Sequence, residues 1–354
     1  MLNTVDQFVV RKVAFVSDKS RSERWVKLQD APSVPNLRFR HFIGESDFPH
    51  MVAVTVGMKE ADQLELTMSV EDVAREFKHL EHCDPYQDFL FAEVDGKVVG
   101  YTRVWWSKDP SGPYLYNHFV DLLPEWRGKG IRNAMLRYNE RKLREMAQVH
   151  PADVPHTFQA VVADSERDWI SVLTNEGYSV FRYGFRMVRP NLDDIPDLPF
   201  PDGVEVRPVK PEHYRAIVDA WNEACKDMRG QIPISDEDLN AFQESPIFNP
   251  SLWQIAWHQD EVIGTVINFI DERENTEYGR KRGYVELISV KRHWRGRGIA
   301  KALIARSFNT LKSRGTTEAA LGVDAENPSG ALRLYQKMGF QIQKKMIFYR
   351  KPMN

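Results

Sequence analysis

The hydrophobic pattern changes period once in an instructive place. Val285-Glu286-Leu287-Ile288-Ser289-Val290 is short, apolar and partly β-branched, and reads as a strand. From Ile299 onward the apolar residues fall at Ile299, Leu303, Ile304, Phe308 and Leu311, the spacing of one helix face. Between the two lies Arg295-Gly296-Arg297-Gly298. A strand, a glycine turn and a helix start aim unpaired backbone N–H groups and a partial positive charge at one point. Glycines let a bulky anion approach the backbone, and the two arginines add donors. The stretch from Arg295 to Lys301 is therefore a candidate phosphate or pyrophosphate site.

The same text occurs twice. FAEVDGKVVG sets against IAWHQDEVIG, LPEWRGKGI against KRHWRGRGI, and DWISVLTNEGY against GALRLYQKMGF. The first copy adds a helix capped at Ser69, with Asp72 three residues on, and a hairpin turning at Asp95-Gly96. TFQAVVA and the text after it predict a strand, a short helix and a closing strand pair. The second copy opens with the strand VEVRPV and a helix begun by Pro211, and ends with the helix PSGALRLYQKM and the strand QIQKKMIFYRK. The expected domains are an N-terminal extension over 1–36, one repeat over 37–192, a linker over 193–203 and a second repeat over 204–354. The linker lies in a run of three prolines and four aspartates. Hairpins mixed with strand-helix-strand crossings predict an α/β (α+β) fold, each copy a mixed, mainly antiparallel sheet flanked by helices.

Composition narrows the partners. A chain of 354 residues with 42% hydrophobic and 28% charged residues has room for two cores. A net charge of −2 gives no reason to expect nucleic acid or an anionic membrane as partner, and no apolar run approaches a membrane span. The first residues lack a signal-peptide core, and two cysteines, Cys83 and Cys225, make no disulfide framework. A cytoplasmic monomer or homodimer is expected. His79, His82 and Cys83 lie close together, but no second ligand cluster answers them, so no metal site is expected. Gly296 and Gly298 lack the third glycine of a dinucleotide fingerprint, and Gly128-Lys129-Gly130 lacks the Ser/Thr of a nucleotide-triphosphate loop.

Arg295-x-x-Gly298-x-Ala300, followed by Asn327-Pro-Ser-Gly-Ala-Leu-Arg-Leu-Tyr335-Gln-Lys-Met-Gly339-Phe340, resembles the signature segments of the GNAT superfamily of acyl-CoA-dependent N-acetyltransferases. The tandem arrangement resembles that of mycothiol-synthase-like members. The resemblance implies acetyl-CoA as co-substrate and a small amine as acceptor. It places the pyrophosphate on the amides of Arg295, Gly296, Arg297, Gly298, Ile299, Ala300 and Lys301. It places the pantetheine arm along the strand edge at Ile288, Ser289 and Val290, with Asn327 contacting that arm. Tyr335 takes the position of the family's general acid and Glu286 that of its base. Strict alternation would set Glu286, Ile288 and Val290 on one side of the strand.

The first copy departs from the signature. Arg132 stands where Gly or Ala belongs, Leu173 lies opposite Tyr335, Ser165 opposite Asn327 and His118 opposite Glu286. Leucine cannot donate a proton, so the first copy is expected to be catalytically silent. Trp221, Glu223, Asp227 and the run Asp271-Glu272-Arg273-Glu274 are candidates for gripping the acceptor; Glu223 and Asp227, four apart, share a helix face. Two classes remain open: an enzyme acetylating a small amine or a protein N-terminus, and a non-catalytic acyl-CoA-binding or regulatory protein.

Overall fold

The computed structural model describes residues 25–109, 112–226, 233–326 and 330–353. In chain order the first repeat runs β1 (Trp25–Val26), β2 (Leu37–His41), α1 (Phe48–Met58), α2 (Val70–Lys78), α3 (Pro85–Asp88), β3 (Phe89–Val94), β4 (Lys97–Lys108), β5 (Tyr114–Leu122), α4 (Ile131–Ala147), β6 (His156–Ala163), α5 (Arg167–Asn175) and β7 (Ser179–Arg189). The second runs β8 (Val204–Val206), α6 (Tyr214–Ala224), α7 (Asp236–Gln243), β9 (Gln254–His258), β10 (Glu261–Phe269), α8 (Glu272–Glu277), β11 (Arg282–Val290), α9 (Ile299–Ser313), β12 (Glu318–Asp324), α10 (Ala331–Lys337) and β13 (Gln341–Pro352). The fold is mixed α/β with mainly antiparallel pairing, and β5–β6 and β11–β12 pair in parallel. Among the described residues no helix is long and apolar enough to cross a membrane, and both cysteines are free thiols.

Several local expectations hold for the physical reasons given. Ser69 accepts a hydrogen bond from the Asp72 amide while the Asp72 carboxylate accepts one from the Ser69 amide, closing a capping box. Asp95 and Gly96 both take positive φ, as a two-residue hairpin between β3 and β4 requires. The expected closing strand pair is instead the single strand β7. Helix α7 was not anticipated, although its Ser235–Asp238 capping box is written in the sequence. Residues 190–203 form no helix or strand, yet they are tied down. Arg189 donates to the carbonyls of Asn191 and Asp194, and Leu192 is buried.

The chain divides into two compact units, one holding Tyr183–Lys345 and the other the chain through Arg182 together with the residues from Met346 on. In the first-repeat unit the strand order is β1-β2-β3-β4-β5-β6, and β6 is then paired antiparallel by the end of β13, with Ala163 opposite Met346 and Thr157 opposite Pro352. In the second unit the order is β8-β9-β10-β11-β12, and β12 is paired by the end of β7, with Asp324 opposite Gly184 and Ala319 opposite Arg189. Each repeat thus ends in a strand that completes the other unit. The first unit buries Tyr116, Met135, Leu136 and Phe158 on one face of its sheet and Phe48, Phe89 and Phe91 on the other. The second buries Val285, Leu303, Ile304 and Phe308 on one face and Ile217, Phe242, Ile255 and Ile267 on the other.

Ile347 and Tyr349 belong to the first unit's core although they lie at the far end of the chain. Replacing the buried Tyr349 by alanine should therefore cost the first unit about 3 kcal/mol. Hydrogen exchange should show protection lost in β6 before β12. Equal loss in both strands would mean that β13 supports the two units alike.

Candidate active site

The site is built on an irregularity in β11. Against β10, Val290 pairs with Gly264 and Ser289 with Thr265, but Glu286 pairs with Ile267 and Val285 with Asn268. One extra residue has entered β11, and Leu287 carries it with φ +46°. This is a β-bulge, and it reverses the parity of the strand. Val285 and Val290 both join the core under α9, whereas Leu287 packs with the clusters under α6 and α7. Glu286 therefore lies on the opposite side from Ile288 and Val290. The alternation expected from sequence fails because the bulge adds one residue to the count.

A buried hydroxyl pair braces the bulge. Thr265 Oγ1 lies 2.8 Å from the Leu287 carbonyl, which can only accept, so the threonine proton goes there. Ser289 Oγ, also at 2.8 Å, then donates to Thr265. Both residues are buried.

Beyond the bulge the sheet opens. β11 and β12 pair in parallel only from Arg282–Glu318 to Tyr284–Ala320. The Glu286 side chain enters the divergence, its Oε1 accepting the Gly322 amide of β12 at 2.9 Å. Burial raises the Glu286 carboxyl to about 8, against the opposing pull of the Gly322 amide and of the Arg186 charge. Tyr335, on α10, is buried, and its phenol is pushed well up by burial and then by the nearby Glu286 charge. Glu286 and Tyr335 are thus brought together. Among the described residues, the Tyr335 hydroxyl has no hydrogen-bond partner. Asn327 and Asp227 lie outside the described residues.

The turn after β11 has the form expected of an anion cradle. Gly296 and Gly298 take φ +78° and +85°, and a Cβ at either would meet nothing within 4 Å. Gly298 is the N-cap of α9, so the amides of Ile299, Ala300 and Lys301 open the helix. Ile299 is buried, Ala300 is half-buried and Lys301 is exposed. The open turn and the edge at Ile288–Val290, unpaired on the β12 side among the described residues, fit a phosphorylated group carrying a slender arm. Arg297 lies over the Trp294 ring at 4.7 Å. Arg295 turns inward: its guanidinium donates to the Val290 and Ala224 carbonyls, fixing the end of β11 to the end of α6.

The acidic residues considered for the acceptor are committed elsewhere. Glu223 pairs with Lys291 at 2.9 Å, and Asp271 caps α8. Glu274 is buried against Arg280 and the Tyr284 hydroxyl, and Trp221 is buried.

Residues 58–157 and 216–340 match the sequence profile of the acetyltransferase (GNAT) family, together more than half of the chain. The chain belongs to the GNAT family of acetyltransferases. It is 26% identical over 261 residues to a mycothiol acetyltransferase of Streptomyces coelicolor, an alignment covering 72% of this chain and 76% of that one. Among solved structures it resembles a GCN5-related N-acetyltransferase from Sphaerobacter thermophilus, with a TM-score of 0.70, 26% identity and coverage of 90% and 96%. A tandem GNAT protein from the clavulanic acid biosynthesis pathway shares the fold, with a TM-score of 0.63, 14% identity and coverage of 90% and 99%.

The corresponding place in the first GNAT repeat is filled by its own side chains. β4 and β5 pair without a break from Gly100–Leu122 to Lys108–Tyr114, so β5 has no bulge. β5 and β6 part after Asn117–Gln159, and Arg132 reaches into the opening. Its Nε donates to the Val120 carbonyl at 3.1 Å and its Nη1 to Asp168 at 2.7 Å. Val120 corresponds in the repeat to Ile288. Arg127, the counterpart of Arg295, forms a two-pronged ion pair with Asp62. His118 is buried and bonded to the Tyr178 hydroxyl, and Leu173 is core.

The Thr265 brace is testable without substrate. Thr265→Val keeps the shape but leaves the Leu287 carbonyl and the Ser289 hydroxyl short of a partner, at a cost of about 1–3 kcal/mol. Thr265→Ser should restore most of it. Chemical unfolding of the three proteins checks this, and equal stability of the valine variant would show that the bulge stands without the hydroxyl.

Proposed function

We propose that the second GNAT repeat transfers the acetyl group of acetyl-CoA directly to the primary amine of a small molecule, and that the first repeat is catalytically silent. The observation that carries this reading is the pairing of Glu286 with Tyr335 at the splayed edge of β11. An attacking amine must lose a proton, and a departing thiolate gains from receiving one. The Glu286 carboxylate takes the proton from the amine. A base of pKa about 8 is far better matched to an ammonium than an ordinary carboxylate. The Tyr335 phenol, kept protonated by burial, gives its proton to the sulfur. The backbone from Ile288 to Val290 is available to pair with the amides of the pantetheine arm, as an added strand would. The amides at the start of α9 and the glycine turn suit the pyrophosphate.

The contrast between repeats supports the assignment of roles. Arg132 occupies the strand edge at Val120 in the first repeat, where the second has the short side chain of Ala300. Arg127 has its charge matched by Asp62. In the first repeat Leu173 stands where the second has Tyr335, and His118 is buried against the Tyr178 hydroxyl.

Calorimetry with acetyl-CoA should give one site per chain; two equal sites would refute the silent first repeat. Tyr335→Phe should lower kcat roughly 10²-fold or more, within the usual range for general acid catalysis, and leave acetyl-CoA affinity nearly unchanged. Because the Glu286 carboxyl is raised, its basic form grows as pH rises through about 8, and kcat/KM should rise over the same interval. Glu286→Gln should remove that ionisation and slow the reaction. Full activity in Tyr335→Phe would move the proton donor elsewhere.

A further inference from the structure

The end of α10 is closed by a Schellman cap, and Tyr335 is part of it. The Phe340 amide donates to the Tyr335 carbonyl and the Gly339 amide to the Gln336 carbonyl, with Gly339 at φ +88°. The Phe340 ring meets the Tyr335 ring edge-on at 6.2 Å. Where the phenol stands is therefore tied to how this cap is held. Met338 is the C-cap, and its carbonyl has no partner within the helix. It accepts a hydrogen bond from Nη1 of the buried Arg189, at the end of β7. The same guanidinium donates through Nε to the Asn191 carbonyl at 2.9 Å and through Nη2 to the Asp194 carbonyl at 2.6 Å. It also lies over the Phe308 ring of α9 at 4.8 Å. So close does it stand behind the cap that a Cβ at Gly339 would come within 2.7 Å of Nη1.

The first repeat has the same cap, held differently. The Tyr178 amide donates to the Leu173 carbonyl and the Gly177 amide to the Thr174 carbonyl, with Gly177 at φ +88°. By the alignment that sets Leu173 opposite Tyr335, the counterpart of Arg189 is Lys351 at the end of β13. Lys351 gives its ammonium to Glu140 of α4. The cap is clamped where it carries a phenol, and where it carries leucine the equivalent cation is turned elsewhere.

Resting on the reading of Tyr335 as the proton donor, we propose that Arg189 is a positioning residue for acetyl transfer: it fixes the C-terminal end of α10 and through it the aim of the Tyr335 phenol. A planar fork bonded to three carbonyls resists the rotation that a single bond would allow.

In the full chain labelled with 3-fluorotyrosine, the Tyr335 fluorine resonance is the one lost in Tyr335→Phe. Arg189→Met should shift or split that resonance and leave those of Tyr101 and Tyr116, in the other unit, in place. With acetyl-CoA and ethanolamine, thiol release should fall about tenfold or more in Arg189→Met, since a small displacement of a reacting group can cost about 10²-fold. Acetyl-CoA affinity by calorimetry should stay nearly unchanged. In a Tyr335→Phe chain the further change Arg189→Met should lower the rate little, while chemical unfolding shows the same loss of stability in both backgrounds. Should Arg189→Met fail to fold, Arg189→Lys, which keeps the charge and gives up the fork, serves in its place. An unmoved Tyr335 resonance, or rate losses that multiply in the double variant, would overturn the proposal. No thiol release by the wild-type chain, or full activity in Tyr335→Phe, would instead overturn the reading on which it rests.

Discussion

The second unit depends on one extra residue in β11. A regular strand cannot both pair with β10 and present Glu286 on the face away from α9 while Val285 and Val290 stay in the core beneath that helix. The bulge reconciles these demands by placing Leu287 in the left-handed region, a conformation unfavourable for a branched side chain. Such a residue persists only when its surroundings hold it, and the buried Thr265–Ser289 pair supplies that support from β10 and from β11 itself. From the bulge follow the orientation of Glu286, its bond to Gly322 and the parting of β11 from β12 beyond Tyr284.

The two repeats show how little sequence is needed to change this outcome. Both have a parallel strand pair that parts, a basic glycine turn and a helix capped by a left-handed glycine. In the first, β5 has no bulge, so His118 stays in the hydrophobic interior, where burial drives its pKa down to about 3. Arg132 spends two of its donors on Val120 and Asp168 within the opening. Arginine needs a matched acceptor when buried, and the strand edge provides one. An opening satisfied by the chain itself has little to gain from a ligand arm that would compete for the same carbonyl.

Much of this could be read from the residues. The repeat, the mainly antiparallel sheet with its helices, the glycine turn and the proximity of Glu286 to Tyr335 follow from periodicity, turn chemistry and the resemblance to the acetyltransferase segments. The parity of β11 was not read, though a trace of it is present: Leu287-Ile288 is an apolar doublet within an otherwise alternating strand, which is how a bulge is written. The inward turn of Arg295 had no signal, because a surface arginine and one that binds carbonyls look alike in sequence. The commitment of Glu223 and Glu274 was hidden for the same reason. Their partners, Lys291 and Arg280, are identified by folding and not by spacing. Position 186 could not be assigned to the second unit at all, since a local reading leaves each closing strand with its own repeat.

That last point bears on why the two repeats remain joined. β7 contributes Met187, Val188 and Arg189 to the second unit, and the Arg189 guanidinium is buried against the Met338 carbonyl at the end of α10, the helix that carries Tyr335. β13 in return covers β6 and fills the first core with Ile347 and Tyr349. Removing either repeat would leave the other with an open, apolar sheet edge, a surface prone to unwanted pairing. The exchange therefore ties the two repeats together whatever chemistry each performs. Once β7 borders β12, Arg186 and Val188 face the same surface as Glu286, while Met187 lies in the core under α9. Substitutions in a strand of the first repeat can then alter the surroundings of Glu286 without touching the bulge, the glycine turn or Tyr335.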